Sequence, residues 1–476
     1  MKLKRIIAAM LAASTLISLT ACNSSTGGEN STSDSQAESS ESSVDDDIRN
    51  PVDVSDISLA DVTVNDDIEP AELLYLGNYN LTVAGDVKPA YKYFQETYDC
   101  SIKVTIVSSS AIGERLTNMI SSGDSPDLVD YQTNTFPLMM SKNMYTPLED
   151  YMDMSAPQWS GLESYINKYK WGGHNYYYPW SYNVSTQWLI YNRGLFESLN
   201  IEDPKELYDA GEWDWNAFKK CMQKFVDSGE GRTGLYGQLG TGLFDTTGTP
   251  LISISEDGTL QSNFVDANIE RAASFYQDLK REELCKYAEG GYIDVSEEPI
   301  VNGLSAFQGM QEWIITNYAH KMEKDESLDV YFVPFPRDPE ADEYYMGMST
   351  FGYLVPAGSK HAEQAAVFIN CCRLSKTDPA LKKTTMESTM KDKGYTEEQY
   401  DFLISFQEVE NFHAVVDEPF GLDETTATVI QKMLHDVSFP NDDGEDQSWT
   451  QMREANQPAI QAQIDLYNEL ITDSNA

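Results

Sequence analysis

From about residue 72 onward, short apolar runs alternate with stretches whose apolar residues recur every three or four positions. Leu73–Gly77 is an apolar run closed by glycine and predicts a buried strand. Pro89–Tyr98 spaces Tyr91, Phe94 and Tyr98 as one face of a helix. Ile102–Val107 alternates and is β-branched, which predicts a second strand. Ile112–Ser121 puts Leu116, Met119 and Ile120 on one helical face; Gly123 and Pro126 end it, and Asp127–Tyr131 predicts a third strand. A strand–helix–strand–helix–strand order predicts a parallel sheet covered by helices.

The alternation continues with strands at Thr186–Tyr191, Val330–Val333 and Gly352–Val355, and helices at Trp215–Ser228, Asn268–Glu283 and His361–Cys371. From Thr396 the tail predicts helices separated by loops at Glu418–Gly421 and Pro440–Asp446. The last helix, Gln457–Leu470, aligns Ile460, Ile464, Tyr467 and Leu470 in one stripe. No internal repeat is evident.

The N-terminus follows a different logic. Met1-Lys2-Leu3-Lys4-Arg5 precedes an apolar stretch, Ile6–Ala21, the pattern of a secretory signal. Residues 23–70 carry thirteen acids against one base, Arg49, with little apolar content. Such a segment buries too little apolar surface to offset its ordering entropy, so a disordered tether is expected. Its root-mean-square reach as a coil is about 40 Å, and self-repulsion extends it.

Across 476 residues, 33 Lys and Arg face 77 Asp and Glu, a formal net charge of −44. This argues against nucleic-acid binding, which needs clustered basic residues. With 41% hydrophobic residues the chain can nevertheless bury large cores. Beyond the N-terminus no apolar run reaches the length of a membrane span. No nucleophile elbow or phosphate loop occurs. The five His are scattered and Cys371-Cys372 lacks zinc-ligand spacing, so neither a metal site nor a cofactor is expected. A carboxylate-pair hydrolase stays open, since any two acids can meet in the fold.

Several segments resemble one family in the order in which they occur. Leu19-Thr20-Ala21-Cys22 resembles a bacterial lipobox. Arg115-Leu116, followed by Met119–Leu128 with its Ser122-Gly123-Asp124-Ser125-Pro126-Asp127, resembles an "SGDxPDxV" element. Tyr178-Pro179-Trp180, Leu189–Arg193, Gly194–Glu206 and Glu212-Trp213-Asp214-Trp215 follow, then Val333–Arg337, Gly352–Pro356 and Ala365–Ile369. Together they resemble the extracellular solute-binding lipoproteins of maltose-binding-protein type (family 1), which serve ABC sugar importers. The resemblance covers roughly residues 72 to 375.

It implies an α/β fold of the two-lobe periplasmic-binding-protein type (type II), with a ligand cleft between lobes joined by crossing strands. The implied organisation is a signal peptide at 1–21, a lipid-anchored tether at 22–70, an N-lobe at 71–181 and 350–385, a C-lobe at 182–349, and bracing helices at 386–476. It implies lipidation of Cys22, attachment to the outer face of the cytoplasmic membrane, ABC permease subunits as partners, and a monomer. The implied function is capture of a carbohydrate, expected to be an oligosaccharide, without catalysis. A different solute such as a polyamine, or a sensor role, stays open.

Sugars present hydroxyls on their edges and C–H groups on their faces, so aromatics beside carboxylates and amides in loops after strands are the candidates. These are Tyr79 and Asn80, Asp130 and Tyr131, Trp180 and Tyr182, Gln238, Glu312 and Trp313, and Ser349 and Phe351. Trp213, Trp215, Trp159, Trp171 and Trp188 read as packing, and Trp449 is a weaker candidate.

Overall fold

The computed structural model describes residues 53–54, 67–131, 135–184, 187–255, 258–285, 296–406, 413–416, 422–439 and 447–474. The signal peptide, Cys22, most of the tether, Gln132, Thr186 and the loops at 418–421 and 440–446 lie outside the described residues.

In chain order the principal elements begin with β1 (Glu72–Gly77), α1 (Lys88–Tyr98), β2 (Ser101–Ile106), α2 (Ile112–Ser122) and β3 (Leu128–Asp130). Then come β4 (Ser181–Val184), β5 (Trp188–Asn192), α3 (Trp215–Asp227), β6 (Thr233–Gly237), α4 (Ala267–Arg281) and β7 (Ser305–Met310). They are followed by α5 (Ile314–Met322), β8 (Val330–Pro334), β9 (Tyr345–Phe351), β10 (Tyr353–Leu354), α6 (Ala362–Thr377), α7 (Pro379–Lys393) and α8 (Glu397–Ser405). Last are β11 (His413–Val416), α9 (Glu424–Ser438) and α10 (Trp449–Ser474).

Two sheets form two lobes. The first has the order β10-β3-β1-β2. Within it β1 is parallel to β2 and β3, while β10 returns antiparallel to β3, pairing Tyr353 with Asp130. Helices α1 and α6 cover it, with Phe94 of α1 against Phe368 of α6, ring centroids 5.3 Å apart. The second sheet, β8-β5-β7-β6, is mixed: β7 is parallel to β6, and β5 is antiparallel to both β7 and β8. Because β5 lies inside the sheet, Trp188-Leu189-Ile190-Tyr191 is a continuous buried run rather than an alternating one.

A third, smaller sheet joins the lobes. β9 pairs antiparallel with β4, matching Phe351 to Ser181 and Thr350 to Tyr182, and parallel with β11. Arg373 of α6, itself buried, donates from Nε to the Gln158 carbonyl at 2.7 Å and from a terminal nitrogen to the Trp180 carbonyl at 3.3 Å. The first lobe's helix is thereby fastened to the start of the crossing.

The elements differ from the sequence expectation where long-range packing decides. The parallel order holds for β1, β2 and β3, but β10 and the second sheet add antiparallel pairs. Helix α6 runs to Thr377 instead of Cys371, because Cys372 and Leu374 are also buried, and Asp378 then caps α7. Helix α7 itself, crossing residue 385, and strand β11 were not anticipated. The apolar residues of α7 are sparse, and β11 exists by pairing with β9. Helix α10 begins at Trp449, eight residues before the expected start, with Pro458 inside it. Its first turns are anchored by buried Trp449, stacked on Phe264 with rings 5.9 Å apart.

Cys100, Cys221, Cys285, Cys371 and Cys372 are free thiols, all buried. Among the described residues no helix is long and apolar enough to cross a membrane. The second lobe's core centres on Phe307, fully buried, whose ring lies 5.1 Å from Phe218, 5.4 Å from Phe196 and 6.0 Å from Trp213. Phe307→Ala is expected to cost about 3–5 kcal/mol, read as a lower urea midpoint with an unchanged denaturant slope.

Candidate functional site

Parallel strands deliver their following loops to one edge of a sheet, and that edge collects ligand-binding groups. Here β1 ends at Gly77 and leads into Asn78 and Tyr79, while β3 ends at Asp130 and leads into Tyr131. β10 starts at the same edge, because its register sets Tyr353 beside Asp130. The crossing strands pass alongside. Asn78, Tyr79, Asp86, Asp130, Tyr131, Trp180, Thr350, Phe351 and Tyr353 line a chamber of about 360 Å³, within the range of small-molecule sites.

A second chamber of about 120 Å³ shares Asp86, Trp180 and Phe351 with the first and so adjoins it. It extends to Trp188 and Glu312 of the second lobe, to Lys376 of α6 in the first lobe, and to Lys393, Tyr395 and Tyr400 of the C-terminal segment. The cleft is therefore walled by both lobes, the crossing strands and the tail.

Aromatic contacts fix the walls. Trp180 stacks on Tyr353 with rings 6.1 Å apart and 25° between planes, and Tyr131 stacks on Tyr177 at 4.3 Å. The Tyr79 and Tyr353 hydroxyls are hydrogen-bonded at 2.8 Å. Thr350 Oγ1 accepts from the Tyr177 hydroxyl at 3.2 Å. Two glycines permit this crowding. A Cβ on Gly77 would stand 1.9 Å from the Tyr75 hydroxyl oxygen and 2.7 Å from Asp130 Oδ2, and one on Gly352 would stand 2.5 Å from the Tyr177 ring. The Trp180 indole is 96% buried by its 4% exposure, and its N–H finds no partner among the described residues.

Asp130 Oδ2 accepts from the Tyr75 hydroxyl at 2.8 Å. Burial raises the Asp130 carboxyl to about 6, against the opposing pull of the Tyr75 hydroxyl and the Asn78 backbone N–H. Burial, helped by Asp130, likewise raises the Tyr75 hydroxyl above its ordinary range. In the second chamber Glu312 accepts from Lys393 Nζ at 3.2 Å and from the Tyr395 hydroxyl at 3.0 Å. Burial alone would lower the Lys393 ammonium, but Glu312, Tyr395 and Asp86 hold it above its usual value. Lys376 Nζ sits 5.4 Å from the Trp180 ring centroid, and burial lowers it despite Asp86 nearby. Among the described residues no group of three or more His, Cys, Asp or Glu could hold a metal.

The model of the family described as bacterial extracellular solute-binding protein matches residues 81–375. The chain belongs to this family. Solved structures with the same fold include an ABC substrate-binding protein from Listeria monocytogenes in complex with cycloalternan, at 14% identity and a TM-score of 0.63, covering 83% of this chain and 100% of that one. The GacH receptor of Streptomyces glaucescens, with acarbose, is similar at 15% identity and 0.60, covering 86% and 100%. The galacto-N-biose-/lacto-N-biose I-binding protein of Bifidobacterium longum is similar at 16% identity and 0.61, covering 84% and 99%. No curated protein sequence matches the chain. Family membership makes this an extracytoplasmic solute-binding protein with a two-lobe fold.

Of the residues singled out in the sequence of this solute-binding protein, Tyr79, Asp130, Tyr131, Trp180, Glu312 and Phe351 line one or both chambers. Asn80, Tyr182, Gln238, Trp313 and Ser349 do not. Asn80 Oδ1 instead accepts from the Thr82 backbone and hydroxyl in a local turn. Tyr182 packs into the cores behind the crossing. Gln238 is half-buried beyond β6. Ser349 sits on β9 two residues before Phe351, paired with Asn183. Trp313 is 45% exposed and its indole donates to Gln311 Oε1 at 3.2 Å.

Trp213 and Trp215 are buried and bonded to the Pro334 carbonyl and Thr246 hydroxyl. Trp188, read from sequence as packing only, packs on Phe406 and also lines the second chamber. Asp86, Lys376, Lys393, Tyr395 and Tyr400 were missed. Lys376 lies at the end of α6, Lys393, Tyr395 and Tyr400 come from a tail with no strand-to-loop signal, and Asp86 precedes a helix rather than following a strand.

Because Asp130 has a raised pKa, the folded state holds more protons than the unfolded state between its ordinary value of 3.8 and about 6. Its contribution to stability is thus present at low pH and is lost as pH rises through that window. Asp130→Asn removes this loss. Relative to wild type, its urea-derived stability is expected to improve by about 1–2 kcal/mol between pH 4.5 and pH 7.5.

Proposed function

We propose that this protein captures a carbohydrate, an oligosaccharide in length, in the interlobe cleft and delivers it to the membrane subunits of an ABC importer, without transforming it. The observation that supports this most is the composition of the cleft. The aromatic residues Tyr79, Tyr131, Trp180, Phe351 and Tyr353 line the chamber together with Asp86, Asp130 and Asn78. Ring faces receive the C–H face of a sugar, and carboxylates and amides receive its hydroxyls. The adjoining second chamber gives room for a further unit. The similar structures are complexes with cycloalternan, acarbose and lacto-N-biose, which supports the same ligand class.

In this reading Trp180 is the central platform, since it borders both chambers. Ligand would draw the lobes together by binding the closed arrangement better than the open one. Asn80, Tyr182, Gln238, Trp313 and Ser349 would reach ligand only through such a rearrangement. Cys22 is the lipid attachment point, and residues 23–70 space the lobes from the outer face of the cytoplasmic membrane.

Titration calorimetry against a panel of oligosaccharides tests the reading. Saturable binding of at least one is expected, and silence across the panel would overturn it. For a sugar that binds, Trp180→Ala should weaken affinity by about 1 kcal/mol or more through lost stacking. Cys22→Ser should move the protein from the membrane fraction to the soluble fraction on cell fractionation; retention at the membrane would rule out the anchor.

A further inference from the structure

The first chamber holds two carboxylates, Asp86 and Asp130, and none of the described residues lining it is Lys, Arg or His. The groups acting on Asp130 are uncharged at neutral pH: the Tyr75 hydroxyl and the Asn78 backbone N–H. Tyr79 and Tyr353 complete its surroundings, each feeling the Asp130 charge. The basic groups of the adjoining chamber, Lys376 and Lys393, face Asp86, and Lys393 is also engaged by Glu312. Asp130 is therefore a half-buried carboxyl with hydrogen-bond donors but no counter-charge among the described residues, an arrangement proteins normally avoid by pairing the charge.

The walls point in the same direction. Five aromatic side chains line this chamber, and the negative face of an aromatic ring attracts a cation. The chain's net charge of −44 raises the local concentration of cations and repels anions. A neutral sugar could bond to Asp130 through its hydroxyls, but it would leave the buried charge uncompensated.

We propose that the preferred ligand is a saccharide bearing a protonated amino group, an amino sugar with a free amine, held by Asp130 in the aromatic chamber. The inference rests on the carbohydrate reading above and specifies the charge of the ligand. Asp130 then decides between aminated and neutral sugars. Binding of the amine favours the ionised carboxyl, so the preference weakens as pH falls below about 6.

The test is calorimetry on the full chain with matched pairs that exchange one hydroxyl for an amine: the β-1,4-linked glucosamine disaccharide against cellobiose, and glucosamine against glucose. Spermidine serves as an amine without a sugar ring. At pH 7.0 the aminated member should bind at least about ten-fold more tightly, and its advantage should shrink by about five-fold as pH falls from 6 to 5. Asp130→Asn should collapse the ratio between the members of a pair, while Asp86→Asn, whose carboxylate already faces Lys376 and Lys393, should change it far less. The wild-type pH profile serves as the independent readout if either variant fails to fold. Neutral members binding as tightly as aminated ones would overturn the proposal and leave the carbohydrate reading intact. Spermidine binding with no saccharide binding would overturn both the carbohydrate reading and the amino-sugar assignment. No binding by any of these probes, with a neutral oligosaccharide of the wider panel binding, would overturn the amino-sugar assignment and leave the carbohydrate reading intact.

Discussion

The antiparallel crossing of β4 and β9 is the constraint on which the rest of the molecule depends. Its register, with Phe351 opposite Ser181, places Trp180 and Phe351 where the two chambers meet. Two lobes with separate sheets could otherwise meet in many orientations. Here the backbone pairing limits them, and the buried Arg373 fastens the first lobe's helix to the Trp180 carbonyl at the start of the crossing. Displacing that register by one residue would turn every side chain on the crossing to the opposite face. Trp180 would then leave the cleft.

The cleft is also where polar groups are packed against the usual economy of folding. Elsewhere charges are paired, as in Arg271 with the fully buried Asp338 and Arg193 with Asp329 at 2.9 Å. In the cleft, among the described residues, Asp130 is neutralised by no base and the Trp180 N–H has no partner. A fold selected only for stability would replace such groups with apolar ones. They stand beside exposed Phe351 and within a chamber of about 360 Å³, as the proposed recognition of a ligand there requires.

The first lobe was largely legible in the sequence. Leu73–Gly77, Ile102–Val107 and the helices between carry local periodicities strong enough to fix strand or helix type, and their order implies parallel pairing. The same logic pointed to Tyr79, Asp130 and Tyr131, which follow or end those strands and line the cleft. The antiparallel return of β10 and the mixed second sheet were not legible, because pairing direction depends on how the chain re-enters a lobe. Helix α7 was missed because its apolar residues are few and its stability derives from packing on α6 and α1.

By itself the sequence determined the element types, the acidic character, the family resemblance and the aromatic-plus-carboxylate chemistry of the strand-end loops. These are properties of neighbouring residues, set by spacing, propensity and charge. Only the tertiary structure decided that Asp86, Trp188, Lys376, Lys393 and Tyr395 join the cleft, that Asn80 and Trp313 stand outside it, and that Asp130 is half-buried with no base beside it among the described residues. Those outcomes depend on which residues far apart in the chain exclude water from one another. That is settled by the packing of lobes, crossing strands and tail helices together, not by any local pattern.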